Sequence, residues 1–174
     1  AWMLRKTINK YALETTGTTA GTEWQLHDFS MRGHTSLEAS GLSGAGHLLS
    51  SNGTDTLPAI CLLEDYYGAD MTNELVGMSV PASEHSVMTS YGKEDEIVAF
   101  ERLMDQFPTG ILSIVSDSFD LWKVCTEYLT KIKEKILARN GKIVIRPDSG
   151  DPVDIICGRT FVEVDDVNDL YFAN

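Results

Sequence analysis

The chain has 174 residues, with 26 acidic and 14 basic side chains and a formal net charge of −12 at pH 7. Nucleic acids and anionic membrane surfaces attract basic surfaces, so this charge argues against both as partners. The sequence shows no signal peptide and no apolar run long enough to span a bilayer. We therefore predict a protein that binds neither nucleic acid nor membrane.

The cysteines also bear on the compartment. Cys61, Cys125 and Cys157 lie far apart and form no Cys-x-x-Cys pair. An odd number of separated cysteines does not suit a disulfide framework. Cys61 and Cys125 have apolar neighbours, which predicts positions in the core. The simplest expectation is a reducing compartment, the cytoplasm.

In chain order, the apolar spacing predicts helices that alternate with short strands. The predicted helices cover 2–14, 36–49, 58–67, 84–91, 94–107 and 120–139, and the predicted strands cover 24–29, 75–80, 111–115 and 142–145. Small residues fill the helix over 36–49, which predicts a close approach to a neighbouring element. The continuous apolar run over 111–115 is typical of a parallel strand covered on both faces.

Clusters of polar residues follow the apolar runs at intervals of roughly 30 residues, which fits one strand, one loop and one helix. They are 27–33, 53–56, 79–85, 116–118 and 146–150. We predict the α/β class and a partial, irregular β/α barrel, since a complete barrel needs about 250 residues. Residues just past the strand ends of a barrel converge on one mouth, so we expect these clusters to build one composite site.

The cluster over 146–150 has the clearest chemistry. Arg146 offers a planar fork for two phosphate oxygens. Asp148 is suited to ribose hydroxyls or to a divalent cation that accompanies phosphates. The simpler alternative is an Arg–Asp pair that closes the end of the strand.

The other clusters each allow two interpretations. Phe29 can stack on a planar ring with Arg32 beside it, or be a core phenylalanine next to a surface arginine. Asp55 can accept an N–H from an amide ligand, or cap the helix that begins near Pro58. His85 can act as an acid, a base or a phosphate acceptor, or be an ordinary histidine at a helix start. No His and Cys residues recur at metal-ligand spacing, so we predict no metal site built from protein ligands.

In order and spacing, these clusters resemble the nicotinamide phosphoribosyltransferase family. The motifs are His-Asp-Phe-Ser-Met-Arg-Gly at 27–33, Gly-Thr-Asp-Thr at 53–56, Ser-Val-Pro-Ala-x-Glu-His at 79–85, Val-Ser-Asp-Ser at 115–118 and Ile-Arg-Pro-Asp-Ser-Gly at 145–150. The resemblance runs from about Leu4 to about Pro152. It implies the type II phosphoribosyltransferase barrel, with residues 1–158 as the central part of that domain and 159–174 as a poorly matching C-terminal tail.

The resemblance also implies an activity, namely phosphoribosyl transfer from phosphoribosyl pyrophosphate to nicotinamide in NAD salvage. The products of this pyridine nucleotide biosynthesis are nicotinamide mononucleotide and pyrophosphate. Mg²⁺ accompanies phosphoribosyl pyrophosphate in the family, and ATP hydrolysis is coupled through a histidine that His85 resembles. The family forms homodimers with active sites shared between subunits.

Residue roles follow from the same resemblance on the nicotinamide side. Phe29 is expected to stack on the pyridine ring, with Arg32 beside the carboxamide and the phosphoribosyl group. Asp55 is expected to accept the carboxamide N–H, and Ser113 to line the pocket. A carboxylate at Asp55 would repel nicotinate, which explains a preference for the amide.

On the phosphoribosyl side, the resemblance implies that Arg146 binds phosphate or pyrophosphate and that Asp148 binds the ribose hydroxyls. His85 matches the histidine that the family phosphorylates. These residues are the predicted catalytic group.

Two alternatives stay open. Another phosphosugar-binding β/α barrel, such as an aldolase, typically uses a strand-end lysine or a metal-ligand set, whereas here Lys142 begins a strand and no other lysine ends one. The other alternative is an inactive fragment that keeps the fold. The family's N-terminal part and C-terminal third have no counterpart here, so we expect this chain alone to lack normal activity.

Overall fold

The computed structural model describes residues 1–158. The chain divides into two compact units, Ala1–Ser79 and the part that begins at Val80. Helices and parallel strands alternate in both units, so the predicted α/β class is confirmed. No helix within the described part of the chain is long and apolar enough to cross a membrane.

The first unit is built on short parallel strands. Its elements are α1 (Trp2–Thr16), β1 (His27–Asp28), α2 (Leu37–Leu48), β2 (Gly53–Thr54) and α3 (Leu57–Tyr67). β1 pairs with β2 in parallel, with His27 opposite Gly53 and Asp28 opposite Thr54. A further parallel bridge joins Gly53 to Met78. Three chain segments therefore lie side by side, and each is followed by a loop that starts at the same edge.

Helices α2 and α3 pack closely because α2 presents glycine to its neighbour. A Cβ added to Gly44 would lie 2.6 Å from the Cβ of Ala59, and one added to Gly41 would lie 3.2 Å from the carbonyl oxygen of Pro58. The close approach predicted from the small residues of this helix is confirmed. The helix begins at the expected place, since the Ser36 hydroxyl accepts the N–H of Ala39.

The second unit contains the longer strands. Its elements are α4 (His85–Thr89), α5 (Glu96–Gln106), β3 (Thr109–Val115), α6 (Leu121–Lys123), α7 (Leu129–Lys131), α8 (Lys133–Ala138), β4 (Asn140–Arg146) and α9 (Pro152–Cys157). β3 and β4 pair in parallel from Thr109 opposite Asn140 to Val115 opposite Arg146. On the other side of β3, Ser113 donates its N–H to Pro81 O and accepts the N–H of Ser83, both at 2.9 Å.

The core of the second unit lies between these strands and the helices. Its buried members are Met88, Ala99, Phe100, Met104, Leu112, Ile114, Val115, Val124, Tyr128 and Ile132. The extent of the helix predicted over 120–139 is confirmed, because helical segments run from Leu121 to Ala138, but a π-helical turn over Val124–Tyr128 separates α6 from α7. Val124, Tyr128 and Ile132 are each four residues apart, slightly more than one α-helical turn of 3.6 residues. The wider π turn keeps all three on the buried face.

Two further sequence predictions are corrected here. The strands expected over 24–29 and 75–80 shrink to β1 and to the single bridge at Met78, because only these residues find a parallel partner. Cys61 and Cys125 are free and exposed rather than buried in the core. Helical spacing places both on faces turned away from the buried residues, which an apolar neighbourhood in the sequence does not show.

Glu96 is a charged side chain enclosed in the second unit. It is 1% exposed and stands at the first position of α5. Its Oε1 atom is buried and accepts no hydrogen bond within residues 1–158. Burial of the carboxyl, followed by the negative charge of Asp120, raises the pKa of Glu96 to about 7.

This carboxyl should make the stability of the protein depend on pH. The folded state holds the Glu96 proton more tightly than the unfolded state, whose pKa is near the ordinary 4.5. The free energy of unfolding should therefore fall by roughly 3 kcal/mol between about pH 5 and about pH 8. Glu96→Gln should abolish most of this decline, as measured by urea unfolding at both pH values. Glu94→Gln, at an exposed position, is the matched control, and an equal decline in the Glu96→Gln protein would refute the assignment.

Candidate functional site

The first unit brings together the side chains of His27, Phe29 and Asp55, within and just past β1 and β2. The N–H of Asp55 donates to the carbonyl oxygen of Asp28 at 2.9 Å, which fixes the backbone just after β2. The Asp55 Oδ2 atom then lies 3.2 Å from Nε2 of His27. The ring of His27 lies 4.4 Å from that of Phe29, centroid to centroid, at an angle of 35°. Phe29 directly precedes the 3₁₀ turn over Ser30–Gly33, and Arg32 lies within that turn.

These observations separate the two interpretations of the sequence. Phe29 is 48% exposed, so it is not a core residue. The cap position of α3 is Thr56, and no side chain makes a capping hydrogen bond there. Asp55 is therefore not a helix cap, and its carboxylate is turned to His27 instead. An exposed ring and an anionic group that both contact His27 form an arrangement suited to a flat ligand with a hydrogen-bond donor.

Buried polar groups hold these strand ends in place. Asp28 is 8% exposed, and its Oδ1 atom accepts the N–H of Ser30 at 2.9 Å. Burial raises the pKa of the Asp28 carboxyl, but hydrogen bonding with Ser30 and Thr56 and the charge of His47 together outweigh burial, and the pKa lies below its usual value. The ring of His47, from α2, contacts the carbonyl oxygen of Gly53 through Nε2 at 2.9 Å. The turn after β1 and the His47 side chain of α2 therefore hold the two strands in place.

The second unit has its own polar group, centred on Asp117. This side chain is 6% exposed, and its Oδ1 atom lies 3.1 Å from Nε2 of His85. Its Oδ2 atom accepts the N–H of Asp148 at 2.9 Å and the hydroxyl hydrogen of Ser149. Burial raises the pKa of Asp117, but the hydrogen bonds from Ser149, Asp148 and His85 together outweigh it and lower the pKa. A buried carboxylate thus holds both the loop after β4 and the first residue of α4.

Arg146 lies at the end of β4, and Asp148 lies in the loop that follows. The Nη2 atom of Arg146 donates to the carbonyl oxygen of Ser83 at 2.6 Å. The Asp148 carboxylate is 64% exposed and lies 3.9 Å from Nδ1 of His85. The structure therefore brings Asp148 and His85 together, with Arg146 two residues before Asp148. A surface pocket beside them is lined by Pro147, Asp148, Ser149, Gly150, Pro152, Ile155 and Ile156.

Ser113 has a different setting from the other predicted site residues. It lies inside β3 rather than past its end, and it is 8% exposed. Its backbone joins the bridge to Ala82. The predicted contact of Ser113 with a ligand stays a prediction.

Residues 1–158 contain no group of three His, Cys, Asp or Glu side chains placed to hold a metal ion. Mg²⁺ in phosphate-binding enzymes is commonly held by one or two carboxylates together with the substrate phosphates. The exposed carboxylate of Asp148 suits that mode, in which the substrate supplies most of the ligands.

Sequence reasoning missed two residues, His27 and Asp117. Both belong to clusters that the repeat pattern located, but neither was given a role. The parallel register of β1 and β2 places His27 beside Asp55, 28 residues later in the chain, and only the pairing reveals it. In the sequence, Asp117 is only a polar residue that follows a strand. The three groups that contact its carboxylate come from two segments that are distant in the chain.

Parallel strands joined by helices, with polar residues after the strands, place the chain in the α/β class. A model of the nicotinate phosphoribosyltransferase (NAPRTase) family matches residues 24–170 of the chain. The chain therefore belongs to this family. The family match reaches beyond residue 158, whereas the predicted C-terminal tail over 159–174 lies outside the described residues.

Curated relatives carry a more specific name. The "Nicotinamide phosphoribosyltransferase" of Acinetobacter baylyi (strain ATCC 33305 / BD413 / ADP1) is 44% identical over 172 residues, which cover 95% of this chain and 34% of the relative. The proteins of the same name from Xanthomonas campestris pv. campestris (strain 8004) and Mycoplasma pneumoniae (strain ATCC 29342 / M129 / Subtype 1) are 39% and 38% identical, over 90% and 92% of this chain and 33% of each relative. The predicted resemblance is confirmed, and the chain spans about a third of the length of these relatives.

Proposed function

We propose that the protein transfers a phosphoribosyl group from phosphoribosyl pyrophosphate to nicotinamide. The observation that carries this proposal is that the Asp55 carboxylate and the exposed Phe29 ring both contact the ring of His27. A pyridine ring stacks on Phe29, and its carboxamide N–H donates to Asp55. Nicotinate, which has a carboxylate in place of the amide, would meet a like charge at this position. Within a family named for nicotinate, Asp55 therefore favours the amide.

The polar side chains at the end of β4, in the second unit, suit phosphoribosyl pyrophosphate. Arg146 offers guanidinium N–H groups to phosphate oxygens, and Asp148 offers a carboxylate to the ribose hydroxyls. The pyridine nitrogen of nicotinamide forms a bond to C1 of the ribose, and the bond from C1 to pyrophosphate breaks with the electron pair leaving on the pyrophosphate. Such a displacement needs positioning and charge compensation more than covalent help from the protein. Bound Mg²⁺ would add positive charge at the leaving pyrophosphate.

Further parts of the proposal rest on the resemblance of the motifs. Residues 1–158 would form the central part of an irregular barrel of the type II phosphoribosyltransferase kind, and the protein would act in the cytoplasm as a homodimer with shared active sites. Coupling to ATP would proceed through His85. The contact between His85 Nε2 and the buried Asp117 supports that role, because it fixes the orientation of the imidazole ring.

Product formation tests the function directly. The full-length protein is incubated with phosphoribosyl pyrophosphate, Mg²⁺ and either nicotinamide or nicotinate, and the mononucleotides are separated by chromatography. We expect nicotinamide mononucleotide to form and nicotinate to be used poorly. Turnover of nicotinate alone would contradict the proposed substrate, and binding of neither compound in isothermal titration would favour the alternative of a protein that keeps the fold without the activity.

A further inference from the structure

We propose that His27 is a positioning residue that orients Asp55 and thereby sets the preference for a pyridine amide over a pyridine acid. This inference rests on the proposed function, because it concerns the same site. It assigns a role to a side chain that the motif comparison left without one. The observations that carry it are three contacts of the His27 ring, with Gly53, Asp55 and Phe29.

The first contact fixes the place of the ring. His27 lies opposite Gly53 in the parallel pair of β1 and β2. A Cβ atom added to Gly53 would lie 2.6 Å from Nδ1 of His27, closer than side-chain atoms approach one another. The imidazole therefore lies over a residue without a side chain. Because His47 contacts the Gly53 carbonyl oxygen at 2.9 Å, the strand beneath the ring is itself held in place.

The second contact orients the carboxylate. Nε2 of His27 lies 3.2 Å from Oδ2 of Asp55, and their side chains are 25% and 39% exposed. Nε2 is buried and makes no hydrogen bond within residues 1–158, so the two groups attract each other as a close charged pair when the imidazole is protonated. Within residues 1–158, the Oδ1 atom of Asp55 makes no hydrogen bond or ion pair. One carboxylate oxygen is thus drawn to His27, and the other is left to accept from a ligand.

The third contact joins the carboxylate to the stacking surface. The ring of His27 lies 4.4 Å from the ring of Phe29. The same side chain therefore contacts both the residue proposed to stack on the pyridine and the residue proposed to accept the carboxamide N–H. This fixes the spacing between the two, and a misplaced hydrogen-bond acceptor loses most of its value for recognition.

Two substitutions separate these contacts in the full-length protein. His27→Phe keeps a ring against Phe29 but removes the donor that faces Asp55. His27→Gln removes the ring but keeps an N–H donor near the position of Nε2. For each variant we would measure the ratio of kcat/KM for nicotinamide to kcat/KM for nicotinate, and KM for phosphoribosyl pyrophosphate.

We expect His27→Phe to lower the ratio about 10-fold, mainly through a higher KM for nicotinamide, with KM for phosphoribosyl pyrophosphate unchanged. His27→Gln should keep the ratio within about 3-fold of the wild-type value. Gly53→Ala, which crowds the ring but leaves its chemistry intact, should lower the ratio in the same direction as His27→Phe. The kcat/KM ratio of Gly53→Ala also tests the inference independently if a thermal unfolding scan shows that His27→Phe folds poorly.

The outcomes distinguish this inference from the function on which it rests. If the wild-type protein prefers nicotinamide and both His27→Phe and Gly53→Ala keep that preference, the role of His27 is refuted and the function stands. An equal loss in His27→Phe and His27→Gln would also refute it, because the donor would then be irrelevant. If the wild-type protein shows no preference for nicotinamide, the proposed function fails and the inference fails with it.

Discussion

Replacement of Asp55 with alanine is expected to lower kcat/KM for nicotinamide by about 100-fold. A hydrogen bond to a charged acceptor contributes roughly 1.5–3 kcal/mol, and its loss leaves the carboxamide N–H without a partner. Use of nicotinate should change far less, because nicotinate gains nothing from this carboxylate. Steady-state kinetics with each pyridine at saturating phosphoribosyl pyrophosphate measures both effects.

Asp55→Asn is the matched control for this experiment. Asparagine keeps the size of the side chain and one acceptor oxygen but removes the negative charge. We expect the ratio of kcat/KM for nicotinamide to kcat/KM for nicotinate to fall by about 10-fold or more, since the carboxylate of nicotinate is no longer repelled. An unchanged preference in both Asp55→Ala and Asp55→Asn would contradict the assignment of Asp55 to the carboxamide.

Asp117→Ala is expected to reduce kcat/KM for phosphoribosyl pyrophosphate by roughly 100-fold or more. Three donors lose their acceptor at once, namely His85 Nε2, the N–H of Asp148 and the hydroxyl of Ser149. The loop that presents Arg146 and Asp148 would then lose its attachment. The free energy of unfolding should also fall by about 2 kcal/mol, because polar groups that were paired become unsatisfied. Kinetics and urea unfolding measure the two effects separately.

Asp117→Asn provides the comparison, since it keeps an acceptor on one side but places an N–H₂ group on the other.

The lowered pKa of Asp117 also predicts a pH effect with a definite sign. Its stabilisation is present above the unfolded pKa of about 4 and is lost as the pH falls through the lower folded value. The Asn variant should therefore lose less stability than the wild type in acid. Normal kinetics in both variants would contradict the role given to Asp117.

The sequence alone predicted the class of fold well, because the hydrophobic repeat is long and regular. Strand β3 and helix α5 were located to within two residues at each end, since a continuous apolar run and a one-sided apolar helix are strong signals. The two-residue strands β1 and β2 were harder. Their pairing depends on partners at a distance along the chain, and a short segment carries little periodicity of its own.

The same difference between local sequence patterns and long-range contacts explains which residues of the candidate site could be predicted. Residues such as Phe29 and Asp55 were found because they follow apolar runs and belong to specific motifs. His27 and Asp117 were not, because their importance lies in contacts between segments that are far apart in the sequence. The burial of Glu96 was equally hidden, since a glutamate at a helix start is usually a solvated residue that complements the helix dipole.

The contact between His27 and Gly53 also limits how this sequence can change over evolutionary time. A residue larger than glycine at position 53 crowds the imidazole, and this cost disappears when the histidine has first been replaced by a smaller side chain. A lineage that first lost the histidine could accept alanine at 53 without that cost, and a return of the histidine would be favoured only after glycine had been restored. The effect of a substitution at either position, 26 residues from the other, therefore depends on the residue at the other position.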